Sequence, residues 1–411
     1  MRFVDEIYPF GINTTIGPTG TIKRLFRNRG YFESRGYKMT IFALQTSSDK
    51  KNTLSEIHVL PEVNTKPLSV SNNNGNGFRS LLRSKKHAIV VNHYLTSALS
   101  QRLALRANAR YIKEYINLKR EPDIVVFHEM ESCFHYLKYR GSGKAKVAMF
   151  LHADGSDGEM FIKRFPKFDG KREYKEMLEN LFYCYEHCDC IVWISRLAKE
   201  RFCINHPEYA SKTVAVVNGI DDIDLIGEIE SSSFKYRLVS TGTVCKRKGQ
   251  YIIVEAMHRM DSDVLNNTHL TIIGPGPDHS RLVALTEQYG LNEHITFTGS
   301  VPNSEVPSYL AKENIYVLMS DNEGLPISII EAMRSGLPVI STKVAGIPEE
   351  VDERNGILID PDVEQMTDVL NRLPDYDWKA LGVSSRRRFE EEFNFEIMRL
   401  HYADMFDSLF D

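Results

Sequence analysis

Two glutamates, Glu323 and Glu331, lie eight positions apart in the stretch DNEGLPISIIEAMRSGLPVIS, which begins at residue 321. The first falls in a Gly-Leu-Pro turn, and the second falls in an apolar run for which Pro326 and Gly336 predict a helix over 326–335. We expect no nearby cation to neutralise the two carboxylates. Carboxylates accept hydrogen bonds from hydroxyls, whereas the start of a helix favours phosphate. A ligand with hydroxyls and a diphosphate, such as a nucleotide sugar, would use both features.

The segments around these glutamates alternate between strand and helix signals. In the second half, apolar β-branched runs separated by helical spans lie at 236–243, 270–274, 295–299, 314–320 and 338–342. In the first half, the candidate strands are MRFVDEI, YKMTIFAL, HAIVVNHY, PDIVVFHE, KVAMFLHA and CDCIVWIS. This alternation predicts an α/β protein with two doubly wound domains, parallel sheets and a cleft between the domains. Ligands of such sheets bind beyond the carboxyl ends of the strands.

The length of 411 residues also favours two domains over one core. We place the hinge where AVVNGIDD, at 215–222, ends a strand. The predicted domains are 1–218 and 236–384, joined by a linker over 219–235. The final segment, 385–411, is predicted to cross back to the N-terminal domain as a helix.

The stretch EGLPISIIEAMRSGLPVISTKVAGIPEEV, followed by GILIDP, closely resembles the E-x7-E region of family 4 retaining glycosyltransferases of the GT-B fold. TGTVCKRKGQ is similar to the phosphate-binding loop of that family, and IIGPGP and ITFTGSVPNSEVPSYL are similar to further segments. GPTG, LHADG, CDCIVWIS and VVNGID match more loosely in the first half. The resemblance covers most of the chain and implies two Rossmann-like domains that face each other across a cleft.

The resemblance implies a role for each matching residue near the two glutamates. Glu323 would accept hydrogen bonds from hydroxyls of the donor sugar, and Glu331 would hold the ribose hydroxyls of the nucleotide. The amides of Gly324 and Leu325 would approach the sugar and the phosphates. The C-terminal domain would therefore bind the donor, and the N-terminal domain would receive the acceptor.

The loop GTVCKRKG begins at Gly242 and carries three cations. Lys248 would neutralise charge that develops on the departing diphosphate, and Gly242 and Thr243 would line the donor site. The family pattern has an Arg directly after the first Gly, where this chain has Thr243. One leaving-group charge is then missing unless Arg247, Lys246 or a residue of the first half supplies it. Lys246 and Arg247 are otherwise typical of a solvated basic turn.

Four residues of the first half are also candidates. GPTG, from Gly17 to Gly20, lies between a predicted strand and a predicted helix, where its backbone could approach the diphosphate. His152 resembles the family histidine that faces the donor sugar, and Asp154 is a candidate contact for the acceptor. Another histidine, His128, also follows a predicted strand, but no pattern selects it.

The resemblance implies a reaction on one face of the sugar, in which the donor phosphate helps to deprotonate the acceptor. No dedicated protein base is then required, whereas an inverting enzyme would use Asp154 or His152. We predict no metal and no other cofactor. CYEHCDC, at 184–190, lacks the paired C-x-x-C spacing of zinc sites, and we interpret its cysteines as buried thiols.

Composition and charge suggest the partners. Residues 1–219 carry 34 Lys+Arg against 22 Asp+Glu, a net of +12, whereas the remainder carries 17 against 33, a net of −16. A basic half suits an anionic membrane surface, a lipid-linked acceptor or a phosphate-containing polymer, although a solvated face without a partner explains it equally well. No recognised nucleic-acid-binding fold accompanies the charge. The sequence lacks a membrane span and the apolar core of a signal peptide, which favours the cytoplasm.

We predict a hexosyltransferase that uses a nucleotide diphosphate sugar, with a UDP-sugar favoured, and that works in the cytoplasm or peripherally at the inner face of the membrane. Exposed aromatic residues allow a homodimer. A non-catalytic partner subunit is the first alternative: Thr243 supports it, whereas Glu323, Glu331 and Lys248 oppose it. A nucleotide-sugar epimerase is the second alternative, and it would need no acceptor.

Overall fold

The computed structural model describes residues 1–11, 19–46, 52–58, 94–223 and 233–411. Gly17 and almost all of the predicted strand HAIVVNHY lie outside the described residues. The chain divides into two compact units, each described here by itself. Unit 1 comprises Met1–Val217 and Arg399–Asp411, and unit 2 comprises Asn218–Met398.

Among its described residues, unit 1 contains a seven-stranded sheet of order β3-β2-β1-β4-β5-β6-β7. The strands are β1 (Arg2–Gly11), β2 (Tyr37–Thr46), β3 (Asn52–Glu56), β4 (Ile124–Phe127), β5 (Lys146–Leu151), β6 (Cys190–Trp193) and β7 (Thr213–Ala215). Neighbouring strands are parallel except for the antiparallel pair β2 and β3. Every residue of β4 and β6 is buried, as expected for central parallel strands with both faces covered.

Helices connect these strands. They are α1 (Thr19–Arg27), α2 (Arg29–Ser34), α3 (Tyr94–Asn117), α4 (Met130–Tyr139), α5 (Glu159–Arg164), α6 (Arg172–His187) and α7 (Arg196–Asn205), with short 3-10 turns at Pro166–Phe168 and Pro207–Lys212. Large apolar side chains of the sheet and of α6 and α7 form one core, which includes Phe127, Tyr185, Trp193 and Phe202.

Unit 2 contains a six-stranded sheet of order β10-β9-β8-β11-β12-β13 among the residues described. The strands are β8 (Tyr236–Thr241), β9 (Thr268–Ile273), β10 (Ile295–Gly299), β11 (Ile315–Leu318), β12 (Val339–Thr342) and β13 (Gly356–Ile359). Every neighbouring pair is parallel. The order reverses between β8 and β11, as it does between β1 and β4 in unit 1, and ligands of doubly wound folds bind at this reversal.

The helices of unit 2 complete the alternation. They are α8 (Gln250–His258), α9 (Ser262–Leu265), α10 (His279–Gln288), α11 (Val306–Leu310), α12 (Ile327–Arg334), α13 (Ile347–Glu350), α14 (Val363–Asn371) and α15 (Trp378–Arg388). Short 3-10 turns lie at Lys246–Lys248 and Leu373–Asp375, and a π-helical turn lies at Phe389–Phe393. The last helix, α16 (Phe395–Ser408), contains the division between the units after Met398.

The predicted α/β class with two doubly wound units is confirmed. Two strands were not predicted, and both lie at the edge of a sheet. β3 has the polar sequence NTLSE and pairs only with β2, and β13 has the short sequence GILI and pairs only with β12. The predicted domain boundaries at 218, 236 and 384 stay predictions, whereas the compact units divide after Val217 and after Met398.

Candidate functional site

Two loops of unit 2 meet at the carboxyl edge of the sheet, where the strand order reverses. One loop follows β8 and carries Lys248, and the other follows β11 and carries Glu323. The two strands are hydrogen-bonded neighbours. Nζ of Lys248 lies 2.7 Å from Oε1 of Glu323. The structure therefore brings together the residues predicted to meet the diphosphate and the sugar.

Glu323 is nearly buried and has more than one cationic partner. Its Oε1 also accepts hydrogen bonds from Nη1 of Arg247 at 2.8 Å and from Oγ of Ser320 at 2.9 Å. The same Arg247 nitrogen donates to the carbonyl oxygen of Asn322 at 2.9 Å. The prediction that no cation neutralises the glutamates is therefore wrong for Glu323. Arg247 is exposed, as the solvated basic turn predicted, but it also contacts Glu323.

These contacts determine the charge of Glu323. Burial alone would favour the neutral acid, but the charges of Lys248 and Arg247 and the hydrogen bonds they donate lower its pKa below the ordinary value. Glu323 is thus an ionised acceptor at neutral pH. Two cations around one carboxylate leave a local excess of positive charge, which suits an anionic ligand.

Glycines allow the two loops to approach each other closely. Gly249 has φ of 68°, and a Cβ at this position would lie 1.9 Å from the carbonyl oxygen of Met319, directly after β11. Gly242 has φ of 125°, and a Cβ there would lie 3.7 Å from Cε of Lys248. Thr243 is exposed, and its carbonyl oxygen accepts a hydrogen bond from Nε2 of Gln250 at 3.3 Å. The backbone of the loop therefore packs closely against the Lys248 side chain. Thr243 contributes no cation to the loop.

Helix α12 follows Glu323 and carries Glu331. It begins at Ile327, one residue later than predicted, because Pro326 has the extended conformation. Gly336 has φ of 71° just past the helix end, as the sequence predicted. Leu325 is buried, whereas Gly324 and Glu331 are partly exposed. The roles predicted for these residues in donor binding stay predictions.

His152 of unit 1 directly follows β5. Its side chain is partly exposed, but its Nε2 atom is buried and has no hydrogen-bond partner among the described residues. Burial and the neighbouring His128 lower the pKa of His152 to about 3. The imidazole is therefore neutral at physiological pH and can both donate and accept a hydrogen bond.

Asp154 lies two residues further along and is buried. Its Oδ1 accepts hydrogen bonds from Ser156, and its Oδ2 lies 3.2 Å from Nη1 of Arg201. Both carboxylate oxygens of Asp154 therefore have partners within unit 1 and stabilise the segment after β5. The predicted contact of Asp154 with an acceptor stays a prediction. Gly20 lies in the first turn of α1 rather than in a loop, and its role at the diphosphate also stays a prediction.

Residues 224–391, which include Lys248, Glu323 and Glu331, match the family model of glycosyl transferases group 1. This stretch is a glycosyl transferases group 1 domain. Within unit 2, it contains both loops at the reversal point and helix α12. The predicted resemblance is thus confirmed at the level of the group 1 family.

Two curated relatives of the chain are named as glycosyltransferases, one of colanic acid biosynthesis and one of phosphatidylinositol monomannoside. The putative colanic acid biosynthesis glycosyltransferase WcaL of Escherichia coli strain K12 is 27% identical over 192 residues, which cover 44% of this chain and 47% of WcaL. The GDP-mannose-dependent alpha-(1-6)-phosphatidylinositol monomannoside mannosyltransferase of Mycobacterium tuberculosis strain H37Rv is 30% identical over 187 residues, which cover 41% of this chain and 48% of that enzyme. The chain spans about half the length of the curated relatives it matches.

A solved structure resembles the chain over nearly its whole length. HepE of Anabaena, crystallised in complex with UDP, aligns with a TM-score of 0.68 over 99% of this chain and 100% of HepE, at 15% identity. This likeness confirms the predicted GT-B fold.

Sequence reasoning missed Glu350 in the group 1 domain. Its side chain at the end of α13 is fully buried, and neither carboxylate oxygen has a hydrogen-bond partner among the described residues. Burial, together with the nearby carboxylates of Glu323 and Glu349, raises the pKa of Glu350 well above the ordinary value. The adjacent Glu-Glu pair was the available signal, because both side chains of this short helix face inward.

Sequence reasoning also missed Glu6 and Tyr402 in unit 1 and had no reason to select His128. These three side chains are buried and hydrogen-bonded to one another. The group forms next to His152, at the reversal point of the unit 1 sheet.

All six cysteines are free thiols, and the Sγ atoms of Cys133 and Cys188 lie 3.4 Å apart. In the described ranges, no group of three or more His, Cys, Asp and Glu side chains could hold a metal ion. No helix within those ranges is long and apolar enough to cross a membrane.

Proposed function

We propose that the protein is a hexosyltransferase that moves a sugar from a nucleotide diphosphate donor to a glycan, a glycolipid or a phosphate-containing polymer. The observation that carries this proposal is the ion pair between Glu323 and Lys248 at the reversal point of a group 1 domain. A carboxylate and cations at one edge of a sheet suit a ligand that has both hydroxyls and phosphates. Glu331, on the helix that follows, would add a second hydroxyl-binding carboxylate.

Donor binding would exchange the partners of Glu323. In the free protein, Lys248 and Arg247 both contact its Oε1. A diphosphate would offer these cations a new anionic partner, and sugar hydroxyls would offer Glu323 new hydrogen-bond donors. The buried charges then stay paired throughout, because each group gains a partner as it loses one. Lys248 would stabilise the diphosphate as it departs.

Arg247 would supply the cation that Thr243 does not. Its side chain is 47% exposed, so the guanidinium can leave Glu323 without having to break out of a packed core. An Arg can also bind phosphate oxygens through two parallel hydrogen bonds. We therefore assign Arg247, which contacts Glu323 in the same loop as Lys248, rather than Lys246 as the second phosphate ligand.

A UDP-sugar is the favoured donor, since HepE was solved with UDP. The mycobacterial relative is named as GDP-mannose-dependent, so the base has to be decided by experiment. The proposed reaction retains the anomeric configuration, needs no metal and uses the donor phosphate rather than a protein side chain as the base. The roles of His152 at the sugar and Asp154 at the acceptor belong to this proposal.

A lipid-linked or polymeric acceptor is supported by the basic first half and by the relatives named for colanic acid and phosphatidylinositol monomannoside. The proposed location is the cytoplasm, with peripheral attachment to an anionic membrane surface. Sedimentation with vesicles of phosphatidylglycerol, and with neutral phosphatidylcholine vesicles as the control, tests this attachment. Light scattering of the purified protein without vesicles tests the proposed homodimer.

The donor site is tested by calorimetric titration with UDP, GDP, ADP and their common sugar conjugates. The wild type should bind one nucleotide selectively, and Glu331→Ala should weaken that binding roughly tenfold or more through loss of hydrogen bonds to a charged acceptor. Glu255→Ala is the matched control, because Glu255 is also a partly exposed glutamate on a helix of unit 2. Its binding should equal that of the wild type.

The same titration separates the alternatives. Folded wild-type protein that binds none of the nucleotides would overturn the donor site and favour the non-catalytic partner subunit. If a nucleotide sugar binds, product analysis with and without an acceptor extract separates a transferase from an epimerase, since only the epimerase converts its sugar without an acceptor.

A further inference from the structure

The carboxyl edge of the unit 1 sheet carries a buried polar group at the reversal point. Glu6 lies on β1, His128 directly follows β4, and His152 directly follows β5. These strands are consecutive neighbours in the sheet, so their carboxyl ends lie side by side. Reversal points are where doubly wound sheets bind ligands. The buried polar group therefore lies at the edge of the sheet where doubly wound folds bind ligands.

Hydrogen bonds join Glu6 to two other elements. Nε2 of His128 lies 2.9 Å from Oε2 of Glu6, and the hydroxyl of Tyr402, on α16, donates to Oε1 at 2.8 Å. All three side chains are at most 3% exposed. Because a carboxylate can only accept a hydrogen bond, Nε2 of His128 carries a proton in this contact. Tyr402 holds Glu6 in place for this contact.

Aromatic contacts fix the plane of the His128 ring. Phe150 stacks on His128 with ring centroids 4.9 Å apart, and it stacks on Tyr402 at 5.0 Å. His152 is another neighbour of His128, with ring centroids 5.7 Å apart and an interplanar angle of 31°. The ring of His128 is thus held by a carboxylate and by a stacked phenyl group while it contacts His152.

Each imidazole also has one buried nitrogen without a hydrogen-bond partner among the described residues, Nδ1 in His128 and Nε2 in His152. A purely structural core would pair these atoms, because a buried polar atom without a partner destabilises the fold. The two rings therefore offer these nitrogens as hydrogen-bonding atoms to a polar group from outside the described residues.

We infer that His128 is a positioning residue for His152, and that Glu6 and Tyr402 act through it. The hydrogen bonds from Tyr402 to Glu6 and between Glu6 and His128 fix the orientation of the His128 ring. His152 contacts this ring. This inference rests on the proposed function, in which the neutral His152 contacts a hydroxyl of the donor sugar. It makes the last helix a part of the site of unit 1.

The test follows His152 directly by NMR with ¹⁵N-labelled histidine. The chain has 13 histidines, and the signals of His152 are those lost in His152→Gln. Wild-type protein at neutral pH should show the ¹⁵N shifts of a neutral imidazole for His152, because burial keeps the ring uncharged. His128→Phe keeps a ring beside Phe150 and removes the hydrogen bond to Glu6, so the ring that His152 contacts is no longer fixed and the His152 signals should shift. Tyr402→Phe keeps its stacked ring and should move them in the same direction.

Tyr115→Phe is the matched control. The hydroxyl of Tyr115 donates to Oδ2 of Asp5 at 2.7 Å, so this variant removes an equally buried bond to the carboxylate next to Glu6. It should leave the His152 signals in place. In the transfer assay, Tyr402→Phe should lower kcat roughly tenfold or more through misplacement of His152, with little change in the KM for the donor.

Two results would overturn the inference: unchanged His152 signals in folded Tyr402→Phe, or an equal shift in Tyr115→Phe, which would indicate a general loosening of unit 1. Tyr402→Phe decides the test if His128→Phe does not fold. Wild-type protein that binds no nucleotide would refute the proposed function, but the His152 signals would still decide whether His128 positions His152.

Discussion

Replacement of Glu350 by Gln should remove a pH dependence from the stability of unit 2. In the unfolded chain, Glu350 ionises near the ordinary pKa of 4.5, whereas burial in the folded chain raises its pKa well above that value. Between the two values the folded state binds one more proton than the unfolded state. Stability therefore falls as the pH rises through this window, by about 1.4 kcal/mol per pH unit, and the fall ends at the folded-state pKa.

The assay needs a signal from unit 2 alone, because two units need not unfold together. The chain has two tryptophans, Trp193 in unit 1 and Trp378 in unit 2. A Trp193→Phe background leaves Trp378, which packs against the core of unit 2, as the single fluorescent reporter. Urea unfolding from about pH 5 to about pH 8 then gives the free energy of unfolding with and without Glu350→Gln. The difference should grow by about 1.4 kcal/mol per pH unit in favour of Gln.

Glu353→Gln is the control for this experiment, since Glu353 is exposed three residues further along the chain. Its stability should run parallel to that of the parent at every pH. Parallel curves for Glu350→Gln as well would refute the reasoning, because they would mean that Glu350 is ionised and paired in the folded protein.

The remaining predictions concern the two loops of the group 1 domain and Gly346, which follows β12 and contacts the second of these loops. Arg247→Ala should weaken binding of the preferred nucleotide diphosphate roughly tenfold in calorimetry, and the added substitution Thr243→Arg should restore it, because it returns a cation to the same loop. Affinity unchanged by Arg247→Ala would remove Arg247 from the site. Gly346→Ala should destabilise unit 2 by about 3 kcal/mol in urea unfolding, because its Cβ would lie 1.7 Å from the carbonyl oxygen of Gly324. Gly30→Ala, a helical glycine with open space around its Cβ, is the control, and equal stability of the two variants would contradict the argument.

Much of the fold could be predicted because its signals are local. Apolar runs such as IYVL of β11 are buried on both faces, so they stand out against the helices on either side. The helix from Ile327 to Arg334 was placed within one residue by its flanking Pro and Gly. Strand β3 was missed because its only partner is β2, and a half-covered edge strand needs little apolar sequence.

The candidate site was predictable as a set of residues but not as a set of contacts. Lys248 and Glu323 were each selected by their own loops, whereas their ion pair depends on β8 and β11 being neighbours. The contact between Glu6 and Tyr402 joins residues 396 positions apart, and only the folded chain reveals it. Glu350 was missed for a related reason: a glutamate in a short helix is usually exposed, and its burial follows from tertiary packing.

The division of unit 1 into two chain segments has a consequence for synthesis. Residues from Arg399 onward supply Tyr402 and Phe406, whose rings contact Phe32 and Tyr37 near the start of the chain. On the ribosome, these early aromatics emerge long before their partners, because the whole of unit 2 is translated in between. Unit 2 is continuous and can fold as soon as it emerges. The aromatic cluster of unit 1 that Tyr402 and Phe406 complete therefore closes last, although Phe32 and Tyr37 are translated first.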